Sequence, residues 1–157
     1  MRMAVSIVGF SAAVLLAVVA PFASGSAQQT RLLGDAAHFR LTWQVRPASI
    51  LYTGDGSGIL GGFDGTGIGH PGHLRWLSWT TERAVGSGAV WIDNCNPDCA
   101  SGTFTAHAVK VTASRPVRGH FTRLTLRYSY RHRARADRRA IGRIGGAWSY
   151  YIAGHKP

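Results

Sequence analysis

Five arginines fall within nine residues, at Arg131, Arg133, Arg135, Arg138 and Arg139. A guanidinium group stays charged at any physiological pH and meets carboxylate or phosphate as a planar fork. Clustered in this way, the five point to an anionic partner such as an envelope polymer or lipid headgroups. No aromatic residue is interleaved among them to stack bases, so nucleic acid is not the expected partner.

The remaining candidate groups lie further upstream. His70 and His73 form a close imidazole pair, the weak candidates for a metal site, but the Pro71-Gly72 between them is turn chemistry and no third ligand can be assigned. Asp55 and Asp64 read as acidic turn residues beside glycine rather than calcium ligands. Gly56-Ser57-Gly58-Ile59-Leu60-Gly61 fits G-x-G-x-x-G, yet the glycines that follow cannot open the helix a pyrophosphate would need. No cofactor is expected. The nucleophile pattern G-x-S-x-G is absent. Asp93, Ser101 and His107 are of catalytic types without an elbow or oxyanion turn to organise them. The enzymatic alternative is a secreted hydrolase near the glycine-rich stretch, drawing on Asp55, Asp64, His70 and His73.

Export is expected from the N-terminus. Arg2 precedes an apolar, uncharged run from Ala4 to Ala20, Pro21 breaks it, and Gly25 and Ala27 occupy the −3 and −1 positions of a small-residue cleavage site. Residues 1–27 thus read as a signal peptide, and 28–157 as a single domain with no membrane-spanning segment after cleavage. Outside the cytoplasm, Cys95 and Cys99, the only cysteines, read as a disulfide. Their C-x3-C spacing is not that of a thioredoxin-like motif.

The elements that must carry these groups read as strands. His38 to Val45 alternates with Phe39, Leu41, Trp43 and Val45 on one face. Ser49 to Thr53 is a short apolar run. Leu74 to Thr81 places Trp76 and Trp79 on opposite faces, so both faces of that strand are expected to be covered. Ala89 to Asp93 and Thr103 to Ala113 are the arms of a hairpin whose tip holds Asn96-Pro97-Asp98. Phe121 to Tyr130 sets Leu124, Leu126, Tyr128 and Tyr130 against Arg123 and Arg127, and Ala147 to Ile152 closes the chain. About seven strands with turn signals between them predict an all-β fold, a single antiparallel sandwich or barrel. Gly54 to Gly72, with nine glycines, reads as a long flexible connection and not a strand. No convincing amphipathic helix follows the leader; within the basic segment 131–143, Arg133 to Ile144 has room for one or two helical turns, and the alternative to anion binding for Arg131 to Arg139 is a solvated hairpin loop. One core is expected to gather Trp43, Trp76 or Trp79, Trp91, Leu124, Leu126 and Tyr128.

Charge is unevenly shared. Residues 28–109 carry five basic and six acidic side chains, a balance of −1; residues 110–157 carry twelve and one, a balance of +11. Arg123, Arg127 and the 131–139 run are therefore expected to make one positive patch.

The run Gly86, Gly88, Val90, Ile92, Asp93, Asn94, Cys95, Pro97, Cys99, Ala100, Gly102, Phe104, followed by Val109, Val111 and Phe121-Thr122-Arg123-Leu124-Thr125-Leu126 with Tyr128, resembles small secreted actinobacterial proteins of uncharacterised function. The likeness covers roughly 50–130, and its specific part is the N/D-C-x-P-x-C-A-x-G hairpin. It implies export and a bridged hairpin, and implies no activity. Some such proteins carry further cysteines, so a second disulfide does not transfer. The combined expectation is a secreted or envelope-associated β domain that acts by binding or structure through a basic face.

Overall fold

The computed structural model describes residues 28–36, 40–53, 56–62 and 74–155, and every element among them is a strand. The strands are β1 (Leu32–Ala36), β2 (Arg40–Gln44), β3 (Ser49–Leu51), β4 (Gly58–Gly61), β5 (Arg75–Trp79), β6 (Ala84–Asp93), β7 (Phe104–Val117), β8 (His120–Tyr130), β9 (Arg133–Ile144) and β10 (Ala147–Ile152). The main sheet runs β10-β9-β8-β7-β6-β4-β3 and curls into a half-barrel, with every pairing antiparallel. β5 shares an edge of β6 with β4: it pairs with Ala84 to Ser87, while β4 pairs with Val90 to Ile92.

Alternation on β6, β7 and β8 decides what the curl encloses. Val90, Val109, Val111, Ala113, Leu124 and Leu126 point inward and are buried, as the two-residue period requires. The small sheet of β1 and β2 covers one end of this concave face. Leu32 and Leu33 are fully buried, and Leu41 and Trp43 pack on the core. The cover is tied down by polar groups. Trp79 Nε1 donates to the Thr30 carbonyl at 2.8 Å, Thr30 Oγ1 donates to the Thr81 carbonyl at 2.7 Å, and the Tyr150 hydroxyl donates to the Leu33 carbonyl. The β8–β9 ladder stops at Arg123↔Ala140, and residue 31 bonds alongside His120: its amide donates to Gly119 and its carbonyl accepts from Phe121. Trp43 then meets His120 at 4.3 Å and Trp148 at 5.1 Å between ring centres, which stitches the cover to β8 and β10.

Five expectations change. The tryptophans of β5 share a face, because the register shifts between Trp76 and Ser78; Leu77 is thrown out, 74% exposed, and Trp76 meets Trp79 edge-on at 4.7 Å. Within the stretch read as a connection, Gly58–Gly61 is a strand with Ile59 and Leu60 buried, since neighbours on both sides supply the hydrogen bonds that two apolar residues alone would not promise. Arg133–Ile144 is strand, not helix or loop: the exposed edge of β8 offers a full ladder, whereas an isolated short helix must first overcome nucleation. Trp91 lies one residue from buried Val90 and so points to the other side of β6, away from the core. Val45 falls beyond the end of β2 and is 38% exposed, and Phe39 lies outside the described residues.

Candidate functional site

Because 133–144 is a strand, alternation divides the arginine run between two faces. Directly paired residues of antiparallel strands share a face, so the β8–β9 register assigns each one. Arg133 pairs with Tyr130, Arg135 with Tyr128, Asp137 with Leu126 and Arg139 with Leu124, all on the inner face. Arg138 pairs with Thr125 on the outer face, where Arg123 and Arg127 also stand. Arg131 lies in the turn, its guanidinium 5.3 Å from the centre of the Tyr130 ring. The five candidate anion-binding residues therefore do not form one patch.

The outer face of β7, β8 and β9 carries Lys110, Arg123, Arg127 and Arg138 among mostly Ser, Thr, Ala and Gly, with Phe104 and Ile144 at the strand ends and no carboxylate from any of the three strands. Lys110 sits directly opposite Arg127 in the ladder, and both are exposed. A like-charge pair in that position is destabilising, by an amount comparable to what an opposite-charge pair would contribute. A shallow open groove of 620 Å³ runs over it, lined by Ser87, Ala108, Lys110, Arg127 and Ser129. Two cations and two hydroxyls thus border one depression.

The inner face changes character along the strands. Past Leu126 and Val111 come Tyr128 and Val109, then Tyr130 and His107. The His107 ring lies 5.3 Å from Tyr130 and 6.4 Å from Tyr128, and its Nε2 is 3.2 Å from Thr105 Oγ1. Burial, and secondarily the nearby Asp137 carboxylate, push the Tyr128 hydroxyl up, so it is a neutral phenol over the physiological range. Arg139 is committed: it donates to Asp137 at 2.8 Å and lies 5.3 Å from the centre of the Tyr52 ring.

The disulfide hairpin is a braced structure. Cys95 and Cys99 are bonded. Asn94 Oδ1 accepts from the amides of Asn96 and Thr103, and Asp98 Oδ1 accepts from those of Ala100 and Ser101. The Ser101 contacts hold the Asp98 carboxyl below the usual carboxylate range. Buried Asp93 accepts from the Cys95 amide through Oδ1 at 3.0 Å. Gly102 is needed there, since a Cβ would stand 1.9 Å from that same oxygen. Asp93 and His107 point to opposite faces of the β6–β7 ladder, so the hairpin does not gather them into a catalytic set.

His70, His73, Asp55 and Asp64 lie outside the described residues. Among the described residues, no group of three or more His, Cys, Asp or Glu side chains could hold a metal ion, and no helix is long and apolar enough to cross a membrane. Sequence reasoning passed over the His107, Tyr128, Tyr130 and Arg135 grouping. Its signal was present in the alternation of Phe121 to Tyr130, but the partner face became legible only with 133–144 as a strand. Compared with protein-family models, with curated proteins and with solved structures, the chain matches none.

Proposed function

We propose that this chain is an exported β domain that acts at the cell envelope or outside the cell by binding an anionic polymer on the outer face of β7, β8 and β9. The observation that carries the reading is the direct opposition of Lys110 and Arg127 on a face whose three strands supply no carboxylate. A bound carboxylate or phosphate would offset that repulsion with charge-assisted hydrogen bonds. The N-terminal leader pattern and the Cys95–Cys99 bond support export. Polymer is favoured over lipid because the residues next to the cations on these strands, Ala108, Thr112, Thr125, Ser129, Ala136 and Ala140, are all small.

Retention on immobilised heparin and on polyphosphate, measured against salt, tests this. Four neutralised cations predict a slope of roughly −3 in log K against log salt. Lys110→Ser with Arg127→Ser should lower retention more than Arg133→Ser with Arg135→Ser does. Binding to anionic phospholipid vesicles alone would move the partner to headgroups. Retention indifferent to both salt and the outer pair would refute an anion-binding face.

A further inference from the structure

The open end of the half-barrel has its own chemistry, independent of the outer face. Three observations converge there. First, the inner face that is sealed by Leu124 and Leu126 at the covered end continues as Tyr128, Tyr130 and His107, with the His107 ring 6.4 Å from Tyr128 and 5.3 Å from Tyr130. Second, Arg135 and Arg133 stand directly opposite Tyr128 and Tyr130 in the ladder. Asp137, the nearest carboxylate on their strand, is taken by Arg139, and among the described residues neither Arg133 nor Arg135 has an ion pair.

Third, the turn at this mouth is strained. Arg131 and His132 are both left-handed, at φ 49 and 61. This two-residue geometry ordinarily selects Asn-Gly or Gly-Gly, and Gly145-Gly146 makes the equivalent turn between β9 and β10. Non-glycine residues held there cost stability, and such positions concentrate at functional sites. Here the strained positions bring a guanidinium and an imidazole to the rim of the ring wall, with Arg131 against Tyr130.

We propose that this open end is a binding site for an anionic sugar, a pyranose-type ring bearing a carboxylate or a phosphate. The ring wall offers flat apolar faces to the C–H face of a sugar. The Tyr128 hydroxyl and the His107 ring offer hydrogen-bond partners to its hydroxyls, and Arg133 and Arg135 meet the charged substituent as forks. A neutral sugar would leave the two arginines unpaired, and a free anion would leave the rings uncovered, so recognition needs both parts.

The test is an amide-resolved NMR titration of the mature chain with glucuronate, glucose 6-phosphate, methyl glucoside and inorganic phosphate. Saturable shifts confined to His107, Tyr128, Tyr130, Arg133 and Arg135 are expected for one or both anionic sugars, and which of the two binds more tightly identifies the carboxylate or the phosphate as the native charge. Arg135→Ser should weaken the binding by about tenfold while leaving the amide spectrum folded. Lys110→Ser on the outer face should leave it unchanged. Tyr128→Phe, which keeps the ring, gives a second variant with weaker but measurable binding. Equal response to methyl glucoside or inorganic phosphate, shifts centred on Lys110 and Arg127, or no saturable shift with either anionic sugar would overturn the proposal.

Discussion

The two ends of the half-barrel are built from the same strands in the same phase, yet they do opposite things. At the covered end the inward positions are Ala113, Leu124 and Ile141, sealed beneath β1 and β2. At the other end the inward positions of those same strands are His107, Tyr128, Tyr130 and Arg135, with no strand of the small sheet above them. The turns differ in the same sense. The turns at the covered end, Arg118-Gly119 and Gly145-Gly146, each place glycine at one or both left-handed positions, whereas the one at the open end, Arg131-His132, has none. Apolar burial is concentrated where the sheet is covered, and polar side chains gather on the inner face where it is not. The contrast fits a general pattern in which binding regions come from the less stable part of a fold.

The comparison would be broken most sharply at Phe121. It is fully buried and meets the Trp79 ring edge-on at 5.6 Å. Phe121→Ala should cost about 3–5 kcal/mol by denaturant unfolding. A cost below that of Tyr130→Ala would mean the two ends are not distinguished by packing.

Tyr150 supplies the next largest effect. Tyr150→Phe leaves the Leu33 carbonyl buried without its donor and should cost about 1–3 kcal/mol. It should also change the alkaline limb. Burial raises the Tyr150 hydroxyl well above its ordinary value, so the folded state holds the proton more tightly than the unfolded chain does. Stability from this source is therefore complete below the unfolded tyrosine pKa, about 10, and is lost as pH rises beyond it. Unfolding curves taken across that range should fall less steeply for Tyr150→Phe than for the native chain. Tyr128→Phe should alter the slope less, since Tyr128 is only half-buried.

A smaller effect of opposite sign belongs to the open end. His132→Gly relieves one left-handed side chain and should stabilise by about 0.5–1 kcal/mol, net of the added unfolded-state entropy. A loss of stability would show that the imidazole contributes to folding rather than to the rim. Smallest of all, Lys110→Ser should raise stability by a few tenths of a kcal/mol by removing the repulsion with Arg127. Thermal melts at low and high salt should show the gain shrinking as salt screens the pair.

Much of the architecture was legible in the chain itself. Strand after strand, the alternation of Val109 and Val111, of Leu124 and Leu126 against Arg123 and Arg127, is a local property, because successive side chains of an extended backbone point opposite ways whatever the neighbours. The bridged hairpin was legible for the same reason: Cys95, Pro97, Asp98 and Cys99 act within a few residues of one another. Tertiary structure decided the rest. Leu32 and Leu33 became core only because β1 and β2 fold back over the sheet, and Ile59-Leu60 became strand only because β3 and β6 lie on either side. The bulge at Leu77 reversed the phase of Trp79 in a way no period could announce. Above all, the run from Arg131 to Arg139 has a composition suited to loop, helix or strand, and the free edge of β8 selected strand. That choice, made by hydrogen bonds to the preceding strand and not by composition, is what sent Arg138 to the outer face and Arg133 and Arg135 to the inner one.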